Sequence, residues 1–140
     1  MSIVQPHLPG ARVLDLFAGS GALGLEAVSR GADHADLVER AAPSLRAIAA
    51  NIEALDAAEQ VTVHRADALQ FVAGLGAHDY DIAFADPPYD LGLATAIAEA
   101  WLAVPFADII GIEHRIHEKL PPGGETRRYG GTGITLYRTR

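Results

Sequence analysis

The stretch that most restricts how this chain can fold runs from Val13 to Gly24. It is an apolar segment, Val13-Leu14-Asp15-Leu16-Phe17, followed by Ala18-Gly19-Ser20-Gly21-Ala22-Leu23-Gly24. Apolar residues on both sides of a single carboxylate read as a strand covered on both faces, the pattern of a parallel sheet. Glycines let the backbone turn tightly and let a ligand or a neighbouring element come close. The residues from Ala22 to Arg30 then read as a helix. Gly19, Gly21 and Gly24 satisfy G-x-G-x-x-G, and Glu39 closes the next apolar run, Ala35-Asp36-Leu37-Val38. Strand, glycine turn, helix and a later acidic residue suit a cofactor that carries a nucleoside, with Glu39 accepting from the ribose hydroxyls. The plain structural alternative is a glycine turn with no ligand.

The same alternation continues along the chain. Helices are expected near Pro43 to Leu55, Ala68 to Leu75 and Leu91 to Ala103, with Pro43 in a first turn, where a missing N–H does no harm. Val61-Thr62-Val63-His64, Tyr80 to Ala85 and Ile109-Ile110-Gly111-Ile112-Glu113 read as strands between and after them. Then the pattern changes: Glu125 to Tyr129 and Gly133 to Arg138, joined by Gly130-Gly131-Thr132, read as an antiparallel pair. The expectation is an α/β fold, a mainly parallel doubly wound sheet with helices on both faces and a C-terminal antiparallel hairpin. With 140 residues and no linker or repeat, a single domain over 1–140 is expected. Met1 to Gly10, with two prolines, reads as a flexible tail.

Tyr80 to Ala85 delivers Asp86-Pro87-Pro88-Tyr89 to the C-terminal end of a strand, where open α/β sheets bind ligands. Proline lacks a backbone donor and fixes φ, so this loop is stiff and its carbonyls are free to accept. An exocyclic amine on a base or an amide has two N–H donors and a poorly available lone pair. Asp86 and a carbonyl accepting those hydrogens would orient the nitrogen and aim its lone pair at an electrophile. Tyr89 could stack on the ring that carries the amine. The plain alternative is a strand that ends in an Asp-Pro turn.

Two cofactors compete for the glycine turn. A dinucleotide would set its pyrophosphate on the helix N-terminus, whereas S-adenosylmethionine presents a cationic sulfonium and an amino acid. Asp15, four residues before Gly19, favours the second, because a carboxylate suits an ammonium and is unwelcome beside a pyrophosphate. Asp67-Ala68 is placed to accept from an adenine amino group, with Ala68 leaving room for the ring. Asp67 is equally suited to cap the helix that follows it.

These residues carry a resemblance. Asp15-Leu16-Phe17-Ala18-Gly19-Ser20-Gly21-Ala22-Leu23-Gly24-Leu25-Glu26-Ala27, with Ser29-Arg30-Gly31-Ala32 after it, resembles the first motif of the small-subunit ribosomal RNA (guanine-N2)-methyltransferase D family. The tetrad at Asp86 resembles that family's amino-methylation motif, which DNA adenine and other amino methyltransferases share. Tyr129-Gly130-Gly131-Thr132 followed by Leu136-Tyr137-Arg138 is similar to its closing hairpin. The resemblance implies a Rossmann-like class I methyltransferase fold, whose reversed last strand the dehydrogenase topology lacks. It implies methyl transfer from S-adenosyl-L-methionine to the exocyclic N2 amine of a guanine in 16S rRNA, as free RNA or in an assembling small-subunit particle. It further implies a cytoplasmic monomer that needs no metal. The cofactor contacts it implies are Asp15, Phe17, Ala18, Gly19, Ser20, Gly21, Glu39, Asp67, Ala68 and Asp86, while Asp86, Pro87, Pro88 and Tyr89 would hold the base. Its chemistry is an in-line displacement at the methyl carbon, in which positioning supplies most of the rate. Family members also carry a basic N-terminal segment with a helix over the cofactor, which the residues before Arg12 do not match. An amino methyltransferase of DNA adenine or a protein amide, and a non-catalytic module of ribosome assembly, are the other readings.

A net charge of −7 is unusual for a protein that meets a phosphate backbone alone. The charge is uneven, however. Arg115, Lys119, Arg127, Arg128, Arg138 and Arg140 against Glu118 and Glu125 give residues 114–140 a balance of +4, and the residues before them carry −11. A basic hairpin beside the site could touch RNA or serve as a charged edge strand. No apolar run is long enough to span a bilayer, and Met1 to Gly10 has no signal-peptide character. The absence of cysteine excludes disulfides and thiolate chemistry. His114 and His117, flanked by Glu113 and Glu118, are too loosely spaced for a metal site and read as a surface turn after a strand. Ala18-Gly19-Ser20-Gly21-Ala22 lacks the outer glycines of a hydrolase elbow, and no lysine follows the glycines as a P-loop requires. Trp101 reads as helix packing.

Overall fold

The computed structural model describes residues 4–139. Strands and helices alternate along them: β1 (Arg12–Leu16), α1 (Ala22–Ser29), β2 (His34–Glu39), α2 (Ala42–Ala54), β3 (Val61–Arg65), α3 (Ala68–Ala73), β4 (Tyr80–Ala85), α4 (Leu93–Ala103) and β5 (Ala107–Arg115). β6 (Glu125–Tyr129) and β7 (Thr132–Arg138) complete the chain. The strands form one sheet in the order β3-β2-β1-β4-β5-β7-β6. Pairing is parallel from β3 across to β5, and β7 lies antiparallel between β5 and β6. The mainly parallel doubly wound sheet with a C-terminal hairpin is the expected one.

Side chains alternate between the faces with the strand period of two. Leu14, Leu16, Ala83, Ala85, Ile110 and Ile112 pack with α3 and α4 on one face. Val13, Ile82, Phe84 and Ile109 pack with α1 and α2 on the other. Each fully buried Leu, Ile or Val contributes about 1.5–3 kcal/mol. Trp101 is core, as its place in α4 implied: its Nε1 donates to the Ala107 carbonyl at 2.8 Å and its ring lies 5.6 Å from that of Tyr137. Pro43 sits in the first turn of α2. α4 starts two residues later than expected, since Asp90 and Gly92 adopt φ of +67° and +71°, outside the helical region.

The expectation of a flexible tail over Met1 to Gly10 is corrected for residues 4–10. Gln5–His7 form a short 3-10 helix, and Val4 and Leu8 are buried with Ala11, Val13 and Ile82 in the core beneath α1 and α2. Two apolar side chains at the right spacing outweigh the two prolines. The Gly10 N–H donates to the Gly31 carbonyl at 2.8 Å, and Arg30 hydrogen-bonds the Gln5 side chain. The first three residues lie outside the described ones.

Candidate active site

A cavity of about 650 Å³ opens at the C-terminal ends of β1, β2 and β4. The sheet order runs outward to β2 on one side of β1 and to β4 on the other, so this is the switch point at which such sheets bind ligands. The cavity gathers Phe17, Glu39, Asp67, Ala68 and all four residues of Asp86-Pro87-Pro88-Tyr89. The remaining expected residues, Asp15, Ala18, Gly19, Ser20 and Gly21, do not line it.

Those five belong to the framework of the glycine turn. Phe17 leaves β1 with φ of +57°, a left-handed conformation that costs an aromatic residue on the order of 1–3 kcal/mol and clusters at functional sites. Ala18 donates to the Val38 carbonyl at 3.0 Å, Gly21 donates to the Ala18 carbonyl at 2.8 Å, and the exposed Ser20 accepts from Asn51 at 3.0 Å through its carbonyl. At Gly24 a Cβ would lie 2.2 Å from Leu37 Cδ2, so only glycine lets α1 approach β2 this closely. The Gly24 N–H donates to Asp15 Oδ2 at 3.0 Å.

Glu39 ties the turn to the end of β2. Its Oε1 accepts from Gly19 at 2.8 Å, and its Oε2 accepts from Arg40 at 3.0 Å and Ala41 at 2.9 Å. A carboxylate has about four acceptor positions, so one on Oε1 is left to face a ligand. Asp67 caps α3 by accepting from Gln70 at 3.1 Å, and its other oxygen lies 3.4 Å from Arg40. The cap therefore uses one carboxylate oxygen, and the other pairs with Arg40 at the cavity.

At the opposite end of the cavity, Tyr89 is fixed by its surroundings. The Arg115 guanidinium stands 4.7 Å from the centre of its ring, and its hydroxyl lies 3.3 Å from Thr132 Oγ1 in β7. Arg115 is in turn held by Asp90 at 3.1 and 3.2 Å. The ring thus presents one face to a cation and is anchored to the hairpin.

The site concentrates negative charge. Asp15 is 2% exposed, and burial pushes its pKa up to about 7, opposed by the Gly24 N–H and reinforced by the charges of Asp86 and Glu39. Glu113, in β5, also lines the cavity. Its pKa is raised to about 7 by its hydrogen bond with Asp86, by burial and by the charge of Asp86. Carboxyl groups at or beside the ends of four adjacent strands favour a cationic or donor-rich ligand over a pyrophosphate. Reading the sequence missed Glu113 as a site residue. The available signal was its place at the end of the apolar run Ile109 to Ile112, the place that Glu39 holds after β2 and Asp86 after β4.

His114 was expected in a surface turn and is instead buried inside β5, which extends to Arg115. Its Nδ1 lies 2.8 Å from the Arg115 carbonyl and its Nε2 lies 2.7 Å from Thr135 Oγ1. The carbonyl can only accept, so Nδ1 donates to it, and both ring nitrogens have partners. Among the described residues no group of three or more His, Asp or Glu could hold a metal ion.

A sheet ordered 3-2-1-4-5-7-6, with its last strand reversed and its cavity at the β1–β4 switch point, defines a Rossmann-like class I methyltransferase fold. A family model described as Conserved hypothetical protein 95 matches residues 1–137. The chain belongs to that family, the one of the small-subunit ribosomal RNA methyltransferase D proteins. It is 36% identical over 123 residues to Ribosomal RNA small subunit methyltransferase D of Escherichia coli, covering 84% of this chain and 60% of that protein. It is 33% identical over 151 residues to "Putative rRNA methyltransferase YlbH" of Bacillus subtilis, covering 99% of this chain and 82% of that one. Among solved structures, "Putative methyltransferase yhhF" of Escherichia coli superimposes with a TM-score of 0.84 at 31% identity, over 98% of this chain and 80% of that chain.

Proposed function

We propose that this protein transfers a methyl group from S-adenosylmethionine to the exocyclic N2 amine of a guanine in small-subunit ribosomal RNA. The observation that carries this reading is the joining of two unlike ends in one cavity. Glu39, Asp67 and Ala68 line one end and Asp86-Pro87-Pro88-Tyr89 the other. The donor set fits S-adenosylmethionine. Glu39 has an acceptor position for a ribose hydroxyl, Asp67 and Ala68 would take the adenine, and Asp15, buried beneath the glycine turn, would add negative charge behind the site without touching the ligand. When bound, S-adenosylmethionine supplies an activated methyl group on a cationic sulfur.

The chain's own residues do the positioning. Asp86 and a proline carbonyl accept the two hydrogens of the target amine and hold its nitrogen facing the methyl carbon. Tyr89, fixed by Arg115 and Thr132, stacks on the base. Arg127 and Arg128 are exposed on β6, beside the strand that anchors Tyr89, and they supply positive charge for the RNA backbone in an otherwise acidic protein. Ribosomal RNA as substrate carries a cytoplasmic location with it. Among the described residues, no helix is long and apolar enough to cross a membrane.

The test is incubation of the purified protein and S-adenosylmethionine with small-subunit ribosomal RNA, with small-subunit particles and with DNA, followed by mass spectrometry of the nucleosides. N2-methylguanosine from the RNA or the particle supports the proposal. Methylated adenine from DNA, or cofactor binding with no product in any substrate, replaces it with one of the other readings. Glu39→Ala should weaken cofactor binding at least about tenfold, because it removes the ribose acceptor and frees three backbone donors. Calorimetry showing an unchanged Kd would contradict the ribose contact.

A further inference from the structure

Asp86 has a neighbour to which the amine-binding corner gives no task. β4 and β5 run parallel with Ala85 opposite Ile112, so Asp86 and Glu113, the next residue on each strand, stand side by side at the C-terminal edge of the sheet. Their side chains are within hydrogen-bonding reach of each other. Both line the main cavity, and they are the residues it shares with a second cavity of about 220 Å³ walled by Leu23, Phe84, Tyr129 and Ile134. Two carboxyls this close do not both ionise unless a donor lies between them or against them. Two neighbouring carboxylates are therefore matched by two neighbouring donors.

A ligand that suits this pair brings its donors side by side. Among the four RNA bases only guanine has an exocyclic amine beside a ring N–H, at N2 and N1. Adenine and cytosine place a bare ring nitrogen next to the amine, and uracil has no amine. These edges are exposed when a base is unpaired.

We infer that Glu113 is the base-selecting residue of this site, accepting the N1–H of guanine while Asp86 accepts from the N2 amine beside it. The inference rests on the proposed guanine methylation and supplies what the tetrad lacks, since Asp86-Pro87-Pro88-Tyr89 answers to any exocyclic amine. Opposite adenine or cytosine, the Glu113 carboxylate meets a ring lone pair and is left without a donor, which is rejection by repulsion as well as by a missing contact.

The experiment uses two synthetic RNAs spanning the guanine that mass spectrometry maps in enzyme-treated small-subunit RNA. One carries guanine at that position. The other carries 2-aminopurine, which keeps the 2-amino group and has a bare N1. The wild-type protein should methylate the guanine RNA with a kcat/KM at least about tenfold above that for the 2-aminopurine RNA. E113Q, whose amide can accept from guanine or donate to a bare N1, should bring the two RNAs within about threefold, through a gain on 2-aminopurine. Binding without cofactor, read from 2-aminopurine fluorescence, should be tighter for E113Q than for wild type. A wild-type protein that treats the two RNAs alike overturns the inference without any variant. So does an E113Q protein that binds S-adenosylmethionine and keeps the wild-type preference. A wild-type protein that methylates no guanine at all overturns the underlying function instead, and the role of Glu113 with it.

Discussion

Asp86→Ala is expected to cut methyl transfer by on the order of 10²–10³-fold while S-adenosylmethionine affinity stays within a few-fold. Asp86 leaves β4 into two prolines, so its carboxylate is aimed by a stiff backbone and a small misplacement of the amine is costly. The cofactor keeps Glu39 and its three backbone donors, which the substitution does not touch. A second readout comes with the first. The hydrogen bond and the charge that raise the Glu113 pKa both come from Asp86, so in the variant Glu113 should titrate closer to the ordinary carboxylate range, as followed by NMR. Comparable losses of transfer and of cofactor affinity would mean that Asp86 serves the cofactor. An undiminished rate would remove the acidic corner from the chemistry.

Asp15→Asn is expected to make the ligand-free protein more stable at pH 8 than the wild type, by a few kcal/mol. The Asp15 carboxyl has a pKa of about 7 in the folded protein against 3.8 as its ordinary value, so the folded state holds the proton more tightly than the unfolded one. Stability is then fully present below about pH 4 and is lost as pH rises to about 7, at about 1.4 kcal/mol per pH unit. Asparagine keeps an acceptor for the Gly24 N–H and never ionises. Glu113, also raised to about 7, acts in the same direction, so the variant flattens the profile without levelling it. Urea midpoints at pH 5 and pH 8 measure this, and equal slopes in variant and wild type would refute it. Cofactor binding should move oppositely, weakening in Asp15→Asn at pH 8 because the site loses a nearby negative charge that favours a cationic ligand. On the proposed function, the wild type gives up stability for a buried charge that favours a cationic ligand.

Much of the architecture is legible because its periods are clean. Tyr80–Ala85 is a strand with the expected bounds, since an apolar run flanked by an acidic turn has few other uses, and Pro43 marks the first turn of α2 by its missing donor. The burial of Val4 and Leu8 was hidden because two apolar side chains among prolines show no period. Their place is decided by the core of the distant strands they cover. His114 was misplaced for a related reason: β5 runs past its apolar centre into residues whose burial depends on β7. In the site, Glu39, Asp67 and Asp86 could be read because each follows an apolar run. The partnership of Asp86 and Glu113 could not, because it exists only through the register of two strands that pair after folding.

The position of β7 also governs how the molecule comes into being. Synthesis delivers β5 before its outer partner, and β5 carries Ile109, Ile110 and Ile112 with one row of amides and carbonyls unmatched until β7 slides into place. Such a half-finished border recruits other chains. β6, exposed at every residue and bearing Arg127 and Arg128, is a far safer rim, but it reaches the sheet only by way of β7. Nicking or frameshifting the β6–β7 hairpin should accordingly yield insoluble material, because the border of β5 stays open until β7 covers it.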